Sequence, residues 1–296
     1  MTILAIATVV TFVLALGVLA IGWWGSGLIL HPPRMSALSV FPEHFGLPYE
    51  KVSFPTPDGL ELKGWFVPSR TGDSRTLIMC HGWGDNKGEL LAKTSFLNSA
   101  GGFNLFYFDH RSHGESDGEF TTIGCLEVVD FRAAMSYLRR HRPQGLARLG
   151  VFGLSMGAAV AAMAAHECRE IKAVVLESPF TDYRQVVRRW SWKNLRIPYF
   201  PLMMAVLWML RRRVGRNDVD TYSPVRFVSR LAPRPVLVIG GAEDRLMPPD
   251  DVGELFAAAK EPKELWMVPG ASHGKCREAA GAEYDRRIID FYQKYL

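Results

Sequence analysis

The chain has 296 residues, 48% of them hydrophobic, and a net charge of +5 at neutral pH. This is longer than one average domain, yet a single α/β domain reaches this size, and the apolar content can fill a sizeable core. The basic residues form no groove-reading motif, which argues against a nucleic-acid partner, and Cys80, Cys125, Cys168 and Cys276 have neither C-x-x-C nor metal-ligand spacing, so nothing requires an oxidising compartment.

Met1 to Leu30 contains no charged side chain, and Ile3 to Ile21 is almost wholly aliphatic. About 20 such residues span a bilayer core. Trp23 and Trp24 fall where an interfacial aromatic belt belongs. A secretory signal peptide is the competing reading, but it calls for Lys or Arg before the apolar run, and none is present. Residues 1–30 are therefore expected to be a transmembrane anchor. The first basic side chain, Arg34, follows the span, which leans toward a cytoplasmic C-terminal domain. Residues 31–48, with several prolines, read as a linker.

From residue 49 the pattern becomes strand and helix in alternation. Tyr49–Phe54 and Leu60–Val67 flank the turn Pro57-Asp58-Gly59, which predicts a hairpin. Thr76–Cys80 is a buried-strand pattern, followed by a helix to about Ser99; Phe103–Phe108 is the next strand and Leu126–Arg140 has helical spacing. Strands follow at Leu149–Phe152, Ala173–Leu176, Pro235–Ile239 and Glu264–Val268, with helices after Ser155, over Val252–Ala259 and over Ala279–Tyr295. The alternation predicts an α/β fold with a mostly parallel central sheet and helices on both faces. In such sheets ligands bind beyond the carboxyl ends of the strands, where the polar, Gly-containing turns of this chain lie.

One of those turns is Gly153-Leu154-Ser155-Met156-Gly157, placed between an apolar strand and the small-residue run Ala158–Ala165. This is the pattern of a nucleophile elbow, in which serine sits on a strained turn at a helix N-terminus. A serine hydroxyl needs a base within hydrogen-bond reach, and the base needs an orienting acid. His273 follows the last strand and is the one histidine after His166. Asp244 lies mid-turn after Pro235–Ile239; Glu243, Asp250 and Asp251 are its rivals, the last two reading as N-caps of the following helix. The oxyanion of a tetrahedral intermediate needs two preorganised N–H donors, assigned to the backbones of Met156 and Trp83. A metal cluster of His81, His110 and His113 matches no zinc spacing, and neither metal nor organic cofactor is needed. Asp109 and Arg111 are expected to brace their loop by pairing with each other.

The set His81-Gly82-Trp83-Gly84-Asp85-Asn86, Asp109 to Ser116, Gly153 to Gly157, Glu177-Ser178-Pro179-Phe180, Asp244 and His273 resembles the α/β-hydrolase superfamily. It is most similar to bacterial membrane-anchored hydrolases and to the serine-aminopeptidase and monoglyceride-lipase-like branch. The resemblance implies Ser155 as nucleophile, Asp244 as acid and His273 as base. One departure is Arg111-Ser112, where the superfamily commonly has arginine and glycine.

Between Phe180 and Pro224 the strand–helix rhythm stops, and an insert at about 181–223 resembles the superfamily's helical cap. Arg188, Arg189, Lys193 and Arg196 precede the nearly uncharged stretch Ile197–Leu210, and Arg211, Arg212 and Arg213 follow it. The stretch is too short to span a bilayer. It reads either as a cap helix on the domain or as an interfacial segment with its arginines among phosphate head groups. Trp83, Leu154, Met203, Met204 and Trp208 are the expected substrate contacts, since Met and Trp suit a flexible acyl chain. The reading is a serine hydrolase acting on an ester or thioester of a lipid-like or acylated substrate at a membrane. A peptidase or amidase with the same triad, and a non-catalytic scaffold on the same fold, are the alternatives.

Overall fold

The computed structural model describes residues 2–33, 38–196, 198–214 and 221–296. Arg34 and three more residues of the expected linker, Ile197, and residues 215–220 of the expected cap lie outside them.

In chain order the elements are α1 (Ile3–Leu30), β1 (Glu50–Pro55), β2 (Glu61–Val67), β3 (Thr76–Cys80), α2 (Lys87–Thr94), α3 (Phe96–Ser99) and β4 (Asn104–Phe108). Next come α4 (Glu127–His141), β5 (Leu149–Leu154), α5 (Met156–Ala164), β6 (Ile171–Glu177), α6 (Tyr183–Leu195) and α7 (Met204–Val214). The chain closes with β7 (Val236–Gly241), α8 (Pro249–Ala258), β8 (Lys263–Val268), α9 (Cys276–Ala280) and α10 (Ala282–Tyr295). The strands form one eight-stranded sheet in the order β1-β2-β4-β3-β5-β6-β7-β8. β1 and β2 pair antiparallel, as do β2 and β4, and every later pairing is parallel.

Side chains alternate across each strand, so one sheet supplies two cores. Ile78, Phe106, Val151, Val174 and Val238 face one side, packed with α4, α5 and α8; Leu77, Leu105, Phe152, Val175 and Leu237 face the other, with α2, α3 and α10. The final helix, expected as one piece from Ala279, is broken at Gly281, whose φ of +56° lies in the left-handed region. Asp250 and Asp251 fall inside the first turn of α8 rather than capping it.

α1 is the one helix among the described residues long and apolar enough to cross a membrane. Its first part is bare: Ile3, Leu4, Phe12, Val13 and Leu14 are exposed. Its last turns enter the domain. Gly22, Gly25, Ser26, Ile29 and Leu30 are buried, at the spacing of a single helix face. The last carbonyls of a helix have no intrahelical donors. Here the domain supplies them: the Trp83 indole N–H donates to the Ile29 carbonyl at 3.0 Å, and the Thr121 N–H to that of Leu30 at 2.8 Å. α7 runs alongside. A Cβ at Gly22 would sit 3.0 Å from Ala205, and Arg213 donates to the Trp23 carbonyl and the Ser26 hydroxyl at 3.2 and 3.1 Å. The expected division between an anchor at 1–30 and a separate domain is thus shifted, because the end of the apolar helix is part of the domain's packing.

The loop after β4 is braced differently from the expectation. Asp109 and Arg111 do not pair with each other. Asp109 turns to α2, where Lys87 supplies both an ammonium and, as the first helical residue, an unspent N–H at 2.7 Å. Arg111 turns to Asp130 in the first turn of α4, at 2.9 Å from Nε and 2.7 Å from Nη2, and to Asp58 at 2.8 Å. The Lys87 and Asp109 side chains are both completely buried. Removing one partner strands the other charge away from water. Lys87→Met is therefore expected to destabilise the fold by about 3–5 kcal/mol, read by thermal unfolding in detergent; a loss below about 1 kcal/mol would overturn this.

Candidate active site

β5 ends at Leu154 and α5 begins at Met156, leaving Ser155 alone on the turn. Its φ of +54° and ψ of −113° place it where non-glycine residues are rarely found. The turn is possible because of two glycines. A Cβ at Gly157 would lie 2.1 Å from the Cys80 carbonyl oxygen, and one at Gly153 would lie 2.5 Å from the Gly157 carbonyl oxygen. Strand and helix therefore touch through bare backbone. The Ser155 N–H donates to the Glu177 carbonyl of β6 at 2.8 Å, which ties the apex to the sheet.

The three expected side chains meet there. The Ser155 hydroxyl donates to His273 Nε2 at 3.0 Å, and His273 Nδ1–H donates to Asp244 Oδ2 at 2.7 Å. The other Asp244 oxygen accepts the N–H groups of Leu246 and Met247, both at 2.8 Å. Asp244 is buried, so it is a fixed and fully engaged acceptor. Its rivals are elsewhere: Glu243 and Asp250 are exposed, and Asp251 is held by Arg189.

The loop after β3 passes beside the serine, with the Gly82 Cβ position 3.5 Å from Ser155 Cβ. Its backbone is set by two histidines. His81 Nδ1–H donates to the Gly82 carbonyl at 2.7 Å, and its Nε2 accepts the His110 N–H at 2.9 Å. His113 Nδ1–H donates to the Arg111 carbonyl at 2.8 Å, and its Nε2 accepts the Gly84 N–H at 3.1 Å. Both rings of His81 and His113 are thereby occupied as neutral imidazoles, and among the described residues no three such side chains are placed to hold a metal ion. Trp83 projects between Ser155 and α1. Met156 opens α5, and the N–H groups of a helix's first turn have no partner within the helix.

Ser155 and His273 open onto a cavity of about 120 Å³. Apart from those two residues its lining is apolar or aromatic: Trp83 and Met156 from the expected set, Val186, Val187 and Trp190 from α6, and Leu246 and Met247 beside Asp244. Phe180, Ile123 and Ile29 complete it. Ile123 is a β-branched residue at φ +54°, an outlier for its type. Buried Glu127 holds that loop, accepting from the Thr121 and Thr122 hydroxyls and from the Thr122 and Gly124 amides at 2.7–2.9 Å.

The expected substrate contacts on the cap do not hold. Met203, Val206, Leu210 and Val214 form the buried stripe of the α7 segment and pack into the core, while Met204 and Trp208 point away and are half exposed. Helical phase separates them from the cavity, which α6 lines instead. Leu154 is buried and borders a second depression, which Ser155 and His273 share with Gly82, Gly84, Asp85 and Lys93. The α6 residues and Ile29 were not legible in the sequence; Phe180 and Met247 sit beside strand-end turns and could have been drawn from position.

The family described as serine aminopeptidase, S33, matches residues 73–234. The chain belongs to the serine aminopeptidase S33 family. The match includes Ser155 and ends before Asp244 and His273. Among its relatives, the chain is 30% identical over 249 residues to the uncharacterised protein YfhR of Escherichia coli K12, spanning 82% of this chain and 80% of that protein. It is 31% identical over 267 residues to an uncharacterised protein of Mycobacterium tuberculosis H37Rv, spanning 89% and 83%. Among solved structures, the Pyrococcus furiosus esterase Pf2001 superposes with a TM-score of 0.74 at 27% identity, covering 90% of this chain and 98% of that one. This S33 chain therefore has the α/β-hydrolase fold and is a hydrolase of the esterase or peptidase type.

Burial pushes the His81 imidazole well below its usual pKa, and the same cause lowers His113. In the unfolded chain both would take up a proton near pH 6.5. The unfolded state then binds more protons than the folded one, so stability is full above about pH 7 and falls as the pH drops toward 5. Each neutral ring contributes up to about 1.4 kcal/mol per pH unit to this slope. Thermal midpoints recorded from pH 8 to 5 should decline in the wild type and decline less steeply in His113→Asn; parallel profiles would contradict the neutral assignment.

Proposed function

We propose that this chain is a membrane-anchored serine hydrolase that cleaves a carboxylic ester or thioester of a lipid-like or acylated substrate through an acyl-enzyme. The observation that carries the reading is the relay from Asp244 through His273 to Ser155, opening directly into an apolar cavity. Ser155 Oγ attacks the acyl carbon while His273 Nε2 takes its proton. The carbonyl oxygen becomes an oxyanion, held by the N–H groups of Met156 and Trp83. Collapse expels the alcohol or thiol, which receives the proton from His273. Water then gives a proton to His273 as its oxygen attacks the acyl-enzyme, and the carboxylic acid leaves as Ser155 recovers its proton. Asp244 orients the imidazole and stabilises its cation throughout.

The ester reading is favoured over an aminopeptidase by the cavity's lining. Recognition of a peptide's N-terminal ammonium calls for a carboxylate or comparable acceptors; the apolar cavity has none, and Asp85, the one carboxylate lining the adjoining depression, already faces Lys93 at 3.8 Å. A lipid-like substrate is supported by the bare apolar length of α1 and by the arginines of α7. Arg213 stacks 4.3 Å over the Trp23 ring, level with the expected head-group boundary.

Intact-mass labelling with a fluorophosphonate in detergent should give one adduct on the wild type and none on Ser155→Ala. A folded wild type that never labels, in detergent or in vesicles, would point to a scaffold instead. Asp244→Asn removes the acceptor that selects the His273 tautomer, and a loss of about 10⁴-fold in kcat is expected with little change in KM. A panel of matched esters, thioesters and aminoacyl amides then ranks the bond; preference for the amides would replace this reading by the peptidase one.

A further inference from the structure

α1 does more than lead into the domain. Ile29, in its last turn, is 2% exposed and lines the same cavity as Ser155 and His273. Its carbonyl accepts the indole N–H of Trp83, another wall of that cavity, at 3.0 Å. Trp190 of α6 packs edge-on against the Trp83 ring, with centroids 5.3 Å apart. Ile29, Trp83 and Trp190 thus form one packed wall, joining the apolar helix, the loop after β3 and the cap. Three further contacts hold Ile29 in register. The Thr121 N–H donates to the Leu30 carbonyl at 2.8 Å, His31 Nδ1–H donates to the Glu119 carbonyl at 2.7 Å, and Gly22 abuts Ala205.

We infer that the end of the apolar helix is a wall of the acyl-chain site, with Ile29 as a residue that sets how long a chain the cavity accepts. This deepens the serine-hydrolase reading and rests on it. A helix serving only as a tether would need no side chain in the cavity, and a cleaved leader would take with it the acceptor for Trp83. The mature protein should accordingly retain residues 1–30.

The wall's position makes the side-chain volume at residue 29 a direct control on cavity depth. Adding or removing a methylene in an apolar site changes discrimination by roughly 10–200-fold. The test is the ratio of kcat/KM for long and short p-nitrophenyl esters, from acetate to palmitate, on the full chain in neutral detergent. Ile29→Ala should raise the long-to-short ratio by about tenfold and Ile29→Phe should lower it by about as much. Leu14→Ala, on the bare part of α1, should leave the profile of the wild type in place. Thermal midpoint and fluorophosphonate labelling check that each variant is folded; if Ile29→Ala is not, Ile29→Val reads the same direction with a smaller step. Equal scaling of all esters in both variants, or no change in either, would overturn the inference while leaving the hydrolase reading intact. A wild type that does not label at all would instead remove the hydrolase reading. Recovery of a mature chain lacking residues 1–30 from cells would overturn the inference about Ile29 as well.

Discussion

The site depends on a steric constraint, the passage of α5 against the end of β3. Gly157 lies so close to the Cys80 carbonyl that no side chain fits between them. That contact forces the chain to reverse within one residue, and Ser155 takes the strained conformation that results. The sheet holds the strain in place. β5 is flanked by β3 and β6, the Ser155 amide is bound to the Glu177 carbonyl, and the flanking strands are buried except for Lys172. A rigid surround is what allows an uncommon backbone geometry to persist.

Around this turn three buried carboxylates are each engaged by several donors. Asp244 is satisfied by two amides and a histidine, Glu127 by two hydroxyls and two amides, and Asp109 by a lysine and two amides. Each carboxylate fixes one loop at the carboxyl end of the sheet. Glu177 is a contrasting case: burial raises its pKa, and Tyr284 of α10 donates to it. Such networks confer rigidity only when each member is paired, and they hold the apolar cavity open between them.

The apolar helix changes how the protein's two halves relate. A tether and a hydrolytic domain joined by a linker would be independent. Here the helix ends inside the domain, its terminal carbonyls capped by Trp83 and Thr121 and its face packed on α7. Close approach at a glycine with hydrogen bonds beside it is a general way for helices to associate in an apolar medium. The same packing brings Ile29 to the cavity, so the placement of the apolar helix and the shape of the site are coupled.

The order and types of the strands, the turn at Ser155 and the choice of Asp244 and His273 as the side chains that meet it were legible in the sequence alone. Each depends on local features: apolar runs of strand length, glycines at fixed offsets and polar turns at strand ends. The partners of Asp109 and Arg111 were not determined in this way, because several elements compete for them in space. Nor was the lining of the cavity. Met203, Met204 and Trp208 are adjacent in sequence to plausible lining, but helical phase sends one into the core and two outward. Ile29 is one apolar residue in a run of them, and only the packing of α1 against α7 and Trp83 decided that this one faces the serine. Local chemistry is written along the chain; which surfaces meet is set by many weak contacts between distant segments, and the tertiary structure alone resolves that choice.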